Sequence, residues 1–157
     1  MSQVVERLAA LGITLPRPAA PVANYVGAQQ GGALLFVSGQ LPGGADGKLA
    51  PDHIGKLGPS SKVETGAAAA KLCAINVLAQ AQAALGDLDR IVRVVRLGGF
   101  FAVDGRYDGL PQAMNGASDL MAAAFGDRGR HARTTVGVAF LPLGSIAEVE
   151  ALFEIAP

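Results

Sequence analysis

The stretch from Ser61 to Gly86 sets the strongest limit on what this chain can fold into. Ser61-Lys62-Val63-Glu64 has the form of a capping box, in which a hydroxyl and a carboxylate satisfy amide donors at a helix start, and Gly86 supplies the stop. Between them Val63, Ala67, Ala70, Ala74, Val77, Ala81 and Leu85 recur every three or four positions. A long helix with so smooth a face lies flat and close against its neighbour, and a sheet is the neighbour of matching shape.

The flanking sequence supplies that sheet. Ser2 to Leu11 has helical spacing at Val4, Val5, Leu8 and Leu11 and ends at Gly12, predicting a short first helix. Leu15 to Pro21 reads as an extended connector, because each proline removes a donor and restricts its predecessor. Asn24-Tyr25-Val26 and Ala33 to Ser38 flank Gly31-Gly32 and read as a hairpin, followed by a Gly/Pro-rich loop from Leu41 to Pro59. Ile91 to Val103 is a β-branched run with a bend or bulge expected at Gly98-Gly99, and Pro111 to Phe125 is a second long helix stopped by Gly126. Thr134 to Leu141 and Ile146 to Ile155 read as two strands of a hairpin around Pro142-Leu143-Gly144. This order predicts an α+β fold: a single mixed β-sheet with two long helices packed on one face, plus the short N-terminal helix. Residues 1–157 form a single domain, in which 1–20 hold that helix and the connector. No helix is left for the other sheet face, so a second copy of the chain is expected to cover it.

Composition narrows the partners. Charged residues make up 17% of the chain, and 13 basic side chains balance 13 acidic ones. Zero net charge argues against strong nucleic-acid binding or an anionic membrane surface, both of which draw on a surplus of Lys and Arg. Cys73 stands alone and only two histidines accompany it, which excludes an internal disulfide and leaves no Cys/His set with metal spacing. The opening Met1 to Arg7 lacks the basic then apolar order of a signal peptide, and no uncharged apolar run is long enough to span a membrane, so a cytoplasmic location is expected.

Two charged residues stand out for chemistry. Arg133 begins a strand on the face shared with Thr135 and Gly137, opposite Thr134, Val136, Val138 and Phe140. Its fork suits a carboxylate, and an ordinary ion pair with an Asp or Glu suits it equally. Glu148 shares a face with Glu150 and Glu154, a pattern that by itself describes a solvated surface. In a hairpin centred near Leu143 it lies about five residues, roughly 16 Å, along from Arg133, so cooperation between the two requires a site between subunits. Ser38-Gly39 closes a strand where Gly permits close approach, and an ordinary turn explains it too. Cys73 inside the alanine-rich helix reads as a buried structural thiol. His131, in Gly129-Arg130-His131-Ala132-Arg133, reads either as part of an anion patch or as an exposed turn residue.

Tyr25, then Phe36-Val37-Ser38-Gly39-Gln40-Leu41-Pro42, then Ala132-Arg133-Thr134-Thr135-Val136 leading to Leu141-Pro142 and Glu148-Val149-Glu150 resemble the RidA family, also called YjgF. The likeness runs from Pro21 to Ile155. It implies a chorismate-mutase-like fold assembled as a homotrimer, with clefts at subunit interfaces. It also implies hydrolysis, without metal or cofactor, of the enamine/imine intermediates that pyridoxal-phosphate enzymes release, giving a 2-oxo acid and ammonia. By position, Arg133 matches the arginine that clamps the substrate carboxylate and Glu148 the glutamate that handles the attacking water. Tyr25, Ser38 and Gly39 match residues lining the cleft, Asn115 matches a cleft asparagine, and Thr135 stands where Cys is common. A non-catalytic trimer that binds small carboxylates such as keto acids is the alternative. The N-terminal helix, the loop from Leu41 to Pro59 and the Asn115-Gly116-Ala117-Ser118-Asp119-Leu120 segment depart from the family pattern.

Overall fold

The computed structural model describes residues 2–21 and 23–157. Three helices, α1 (Gln3–Ala10), α2 (Val63–Leu85) and α3 (Leu110–Phe125), accompany five strands, β1 (Ala28–Gly31), β2 (Leu34–Gln40), β3 (Ile91–Ala102), β4 (Ala132–Val138) and β5 (Ala147–Ile155). One mixed sheet in the order β1-β2-β5-β3-β4 contains all five strands. The α+β class, the element order and the single sheet are as the sequence predicts.

Alternation explains how the sheet meets its helices. Ala147, Val149, Ala151, Phe153 and Ile155 of β5 are buried, while Glu148, Glu150, Leu152 and Glu154 point to the other face. The buried set packs with Leu97 and Phe101 of β3 and with α2, whose Ala70, Cys73, Ala74 and Val77 are inaccessible to solvent. Helix α2 is long and apolar enough to cross a membrane by composition, yet 56% of its most apolar window is buried within the fold. Its smooth face also meets α3. A Cβ on Gly116 would come within 1.9 Å of the Ala67 carbonyl oxygen, so that glycine lets the two helix backbones touch. Helix α1 is held by a side chain far along the chain: the Asp89 carboxylate accepts from the Ser2 hydroxyl at 2.9 Å and from the Gln3 and Val4 amides at 2.7 and 3.1 Å.

The opposite sheet face carries no helix among the described residues. Phe36 and Val136 stand exposed on it, and Phe140, just past the end of β4, is 72% exposed; a second copy is what the sequence expects to cover that face.

Several local expectations are corrected. Val63 begins α2 behind Lys62, and Ser61 does not cap it; the Ser61 hydroxyl accepts instead from the Gly58 amide at 2.9 Å. The first hairpin turns at Gly32-Ala33, with Gly32 at φ +60°, and Tyr25-Val26 precede β1 instead of forming it. The segment from Leu41 to Pro59 is tied to the sheet end through bridges Ile54–Ser145 and Leu57–Val103 and contains a short helical turn, Pro51–His53. The irregularities of β3 lie between Ile91 and Arg93 and between Val94 and Arg96, not at Gly98-Gly99. Those glycines clear space: a Cβ on Gly98 would strike the Glu150 carboxylate, and one on Gly99 would strike Met114.

The largest correction concerns the last two strands. β4 and β5 are not a hairpin, because β3 lies between them, parallel to β4 and antiparallel to β5. The apolar stripe of β3 needs cover on both edges, and the run through Pro142–Gly144, with Leu143 in left-handed geometry at φ 57°, carries the chain past it.

Candidate functional site

Glu148 and Arg133 pair with different residues of the same strand. Glu148 lies opposite Phe100 and Arg133 lies beside Leu97. Phe100 is three positions on from Leu97, an odd step, so the two side chains leave opposite faces of the sheet. They are also about 10 Å apart along β3 and two strand spacings, about 10 Å, across it. One chain therefore presents two separate half-sites. The separation the sequence inferred from a hairpin register is real, but strand insertion and face alternation cause it.

The first half-site lies on the open face. Glu154 pairs with Arg93 at 2.7 Å and Glu150 with Arg96 at 3.2 Å. Glu148 faces Phe100 instead, and no salt bridge reaches it among the described residues. Three carboxylates on one face are thus two cross-strand ion pairs and one unpaired acid. Burial, and secondarily the Glu150 carboxylate, push the Glu148 carboxyl above its ordinary value. Gly39 makes the space this acid occupies, since a Cβ there would fall within 1.9 Å of Oε1.

Gly39 sits in a break of the β2–β5 register between Val37 and Gln40. The carbonyls freed there are satisfied by Gln40, whose Nε2 donates to Ser38 at 2.9 Å and to Gly39 at 3.2 Å. Gln80 of α2 braces the same point, donating to Gln40 Oε1 at 3.4 Å and to the Ala19 carbonyl of the connector at 2.8 Å. The Ser38 hydroxyl donates to the Val26 carbonyl at 2.7 Å and holds the Tyr25-Val26 bend over the face. An open groove of about 530 Å³ follows, lined by Tyr25, Phe36, Ser38, Arg96 and Leu152 among others. Gln80 escapes sequence reasoning because its partners, the Ala19 carbonyl and the Gln40 side chain, are far away in the chain, and Gln40 escapes it because only the break in the strand register leaves the neighbouring Ser38 and Gly39 carbonyls for its amide. Cys73 lies behind the sheet, fully buried, and burial followed by the Glu148 charge holds its thiol well above the usual value, which fits a structural thiol and not a nucleophile.

The second half-site lies at the edge of the sheet, on the helix side. Arg133 Nη1 donates to Asn115 Oδ1 at 2.8 Å and to Ser118 Oγ at 3.2 Å, and Nη2 donates to the Pro111 carbonyl at 3.2 Å. Pro111, Asn115 and Ser118 occur at i, i+4 and i+7, one face of α3. The sequence allowed an ion pair with an Asp or Glu; no carboxylate of the described residues pairs with Arg133 within the chain. Nη1 makes two of these bonds and Nη2 one, while Nε makes none among the described residues, and the side chain is exposed. The Nε/Nη2 edge of a guanidinium is one that can receive a carboxylate with two parallel bonds. Thr135 lies two residues on, beside Gly99, and its buried Oγ1 has no hydrogen-bond partner among the described residues. Ser118 was not legible as a site residue, although its helical spacing from Asn115 was a usable signal.

Comparison with known proteins agrees with this architecture. The family described as "YjgF/chorismate mutase-like, putative endoribonuclease" matches residues 5–155. The chain is similar to Protein TCP17 of Trypanosoma cruzi, at 48% identity over 154 residues, covering 98% of this chain and 94% of that protein. It is similar in structure to the protein Atu1372 of Agrobacterium tumefaciens, with TM-score 0.89 and 44% identity over 98% of this chain and 93% of that one. RidA from a Psychrobacter species matches with TM-score 0.59 and 25% identity, over 91% of this chain and 97% of its own. The chain belongs to the YjgF/chorismate-mutase-like family, which includes RidA.

Proposed function

We propose that this protein hydrolyses 2-imino and 2-enamino acids to 2-oxo acids and ammonia, in clefts that form where the Arg133 half-site of one subunit meets the Glu148 half-site of the next. The observation that carries the reading is the presence of an exposed, oriented guanidinium with no ion-pair partner among the described residues and a lone, partly desolvated carboxylate that one chain cannot bring together. A homotrimer supplies the second subunit.

The chemistry requires little. An imine conjugated to a carboxylate needs an anchor, a directed water and a group that moves protons. Arg133 receives the carboxylate. Glu148 takes a proton from water as the oxygen adds to the imine carbon and passes it to the nitrogen. It then takes the proton of the new hydroxyl as the carbonyl forms and the C–N bond breaks, and delivers it to the departing nitrogen, so that both water hydrogens end on ammonia. A carboxyl whose value is raised by burial is a better proton donor near neutrality than an ordinary one. Tyr25, Ser38 and Gly39 line the floor on the Glu148 side, and Asn115 and Thr135 lie on the Arg133 side. The cytoplasm, where pyridoxal-phosphate enzymes release such imines, is the expected compartment.

Ammonia release from an imine generated in situ by a dehydratase tests the reading. The wild type is expected to accelerate release over spontaneous hydrolysis, and Arg133→Ala to return it to the spontaneous rate with the assembly intact. Undiminished release by the variant overturns the assignment. Binding of keto acids by a wild type that gives no acceleration would favour a non-catalytic carboxylate binder using the same anchor. The endoribonuclease in the family's description finds little support in a chain whose basic and acidic residues balance.

A further inference from the structure

Beside Arg133 the structure places two polar groups in a directed chain. His131 Nδ1 lies 2.6 Å from the Gly129 carbonyl oxygen, and its Nε2 lies 3.0 Å from Ser118 Oγ. A carbonyl only accepts, so Nδ1 carries the hydrogen. With the ring neutral, Nε2 is then an acceptor, and the Ser118 hydroxyl donates to it. That donation turns the lone pairs of Oγ toward Arg133 Nη1 at 3.2 Å. Gly129 owes its place to having no side chain: a Cβ there would come within 2.2 Å of the Met121 carbonyl oxygen at the end of α3.

The arrangement has the outline of a nucleophile, a base and an orienting acceptor. Ser118 lies in the middle of α3, however, where the surrounding amides are committed to the helix and no pair of free N–H groups can receive an oxyanion. The chain of donors instead ends on the guanidinium. We propose that Ser118 and His131 are positioning residues for Arg133: His131 fixes the direction of the Ser118 hydroxyl, and Ser118 with Asn115 holds Nη1 so that the Nε/Nη2 edge faces the substrate carboxylate.

The proposal rests on the reading of Arg133 as a carboxylate anchor, and its test separates the two. The two ring nitrogens of His131 can be replaced one at a time. His131→Asn keeps a donor for the Gly129 carbonyl and loses the acceptor for Ser118. His131→Gln keeps an acceptor for Ser118 and loses the bond to Gly129. Rotation of the Arg133 guanidinium about Cζ–Nε, read by nitrogen-15 NMR from exchange between its two Nη resonances, reports its restraint without any substrate. Wild type and His131→Gln are expected to show separate resonances, and Ser118→Ala and His131→Asn merged ones. In the imine assay those two are expected to raise KM about tenfold, the scale of one hydrogen bond to a charged group, with kcat within about twofold. Separate resonances in Ser118→Ala and His131→Asn overturn the proposal, and so does His131→Gln behaving like His131→Asn, which would reduce His131 to a support for the loop. Resonances that merge as expected, in a protein that neither binds keto acids nor hydrolyses imines, leave the positioning intact and remove the anchor reading instead.

Discussion

The Glu148 and Arg133 half-sites solve opposite problems with opposite means. Glu148 stands on a central strand and is made special by subtraction: Gly39 removes a side chain, Phe100 replaces a third arginine, and burial withdraws water. Arg133 stands on an edge strand and is made special by addition, with three acceptors of α3 fixing one side of an exposed cation. A carboxylate acquires an unusual proton affinity through lost solvation. A guanidinium is permanently charged, so only its orientation can be tuned.

Experiments can break this comparison from either side. The largest effect is expected from Arg133→Ala, with imine hydrolysis falling to the spontaneous rate and the melting temperature changing little, since the side chain is exposed. Arg133→Lys is expected to rescue little, because a point charge cannot offer two parallel N–H groups. Glu148→Gln comes next, with kcat reduced by about 10²-fold and KM close to wild type, the signature of a group that acts on protons and not on binding. A KM effect in Glu148→Gln as large as its kcat effect would merge the two roles. Gly39→Ala is expected to displace the Glu148 carboxylate, costing about 1–3 kcal/mol of stability by overpacking and lowering kcat, whereas Arg133-dependent keto-acid binding should persist.

The smallest effect is a pH dependence of stability. The folded chain keeps the Glu148 proton at pH values where the unfolded chain has lost it. Stability therefore falls as pH rises from the ordinary carboxyl value through the raised folded value, and stays lowered above it. Glu148→Gln lacks this loss. Melting curves are expected to show it more stable than wild type near neutrality, with the difference vanishing in acid. A difference that grows in acid would mean the carboxylate is stabilised in the fold.

Much of the scaffold was legible because it is local. Helical spacing in Val63–Leu85 and Leu110–Phe125 and alternation in Ala147–Ile155 are properties of neighbouring residues, and packing did not override them. Strand order was not legible. Pro142-Leu143-Gly144 has the composition of a hairpin turn, and nothing near it announces that β3, some fifty residues earlier, inserts between the flanking strands. The capping box failed for a related reason: Ser61 has the correct spacing, but the Gly58 amide claims its hydroxyl. Arg133 and Glu148 stood out as strand charges that an ordinary ion pair or a solvated face would also explain; resemblance to a family gave them roles and added Asn115. What separates Glu148 from Glu150 and Glu154 is the spacing of Arg93 and Arg96 on another strand, which only the sheet register discloses.

Subunit mixing tests the central claim most directly. Arg133→Ala and Glu148→Gln chains, each expected to keep about a hundredth of wild-type activity or less alone, are unfolded together in equal amounts and reassembled. If each cleft takes its arginine from one subunit and its glutamate from the next, about one cleft in four of a random trimer receives both intact residues, and about a quarter of wild-type imine hydrolysis should return. Mixtures that stay at the level of the separate variants, in assemblies shown to contain both chains, would contradict a site shared between subunits.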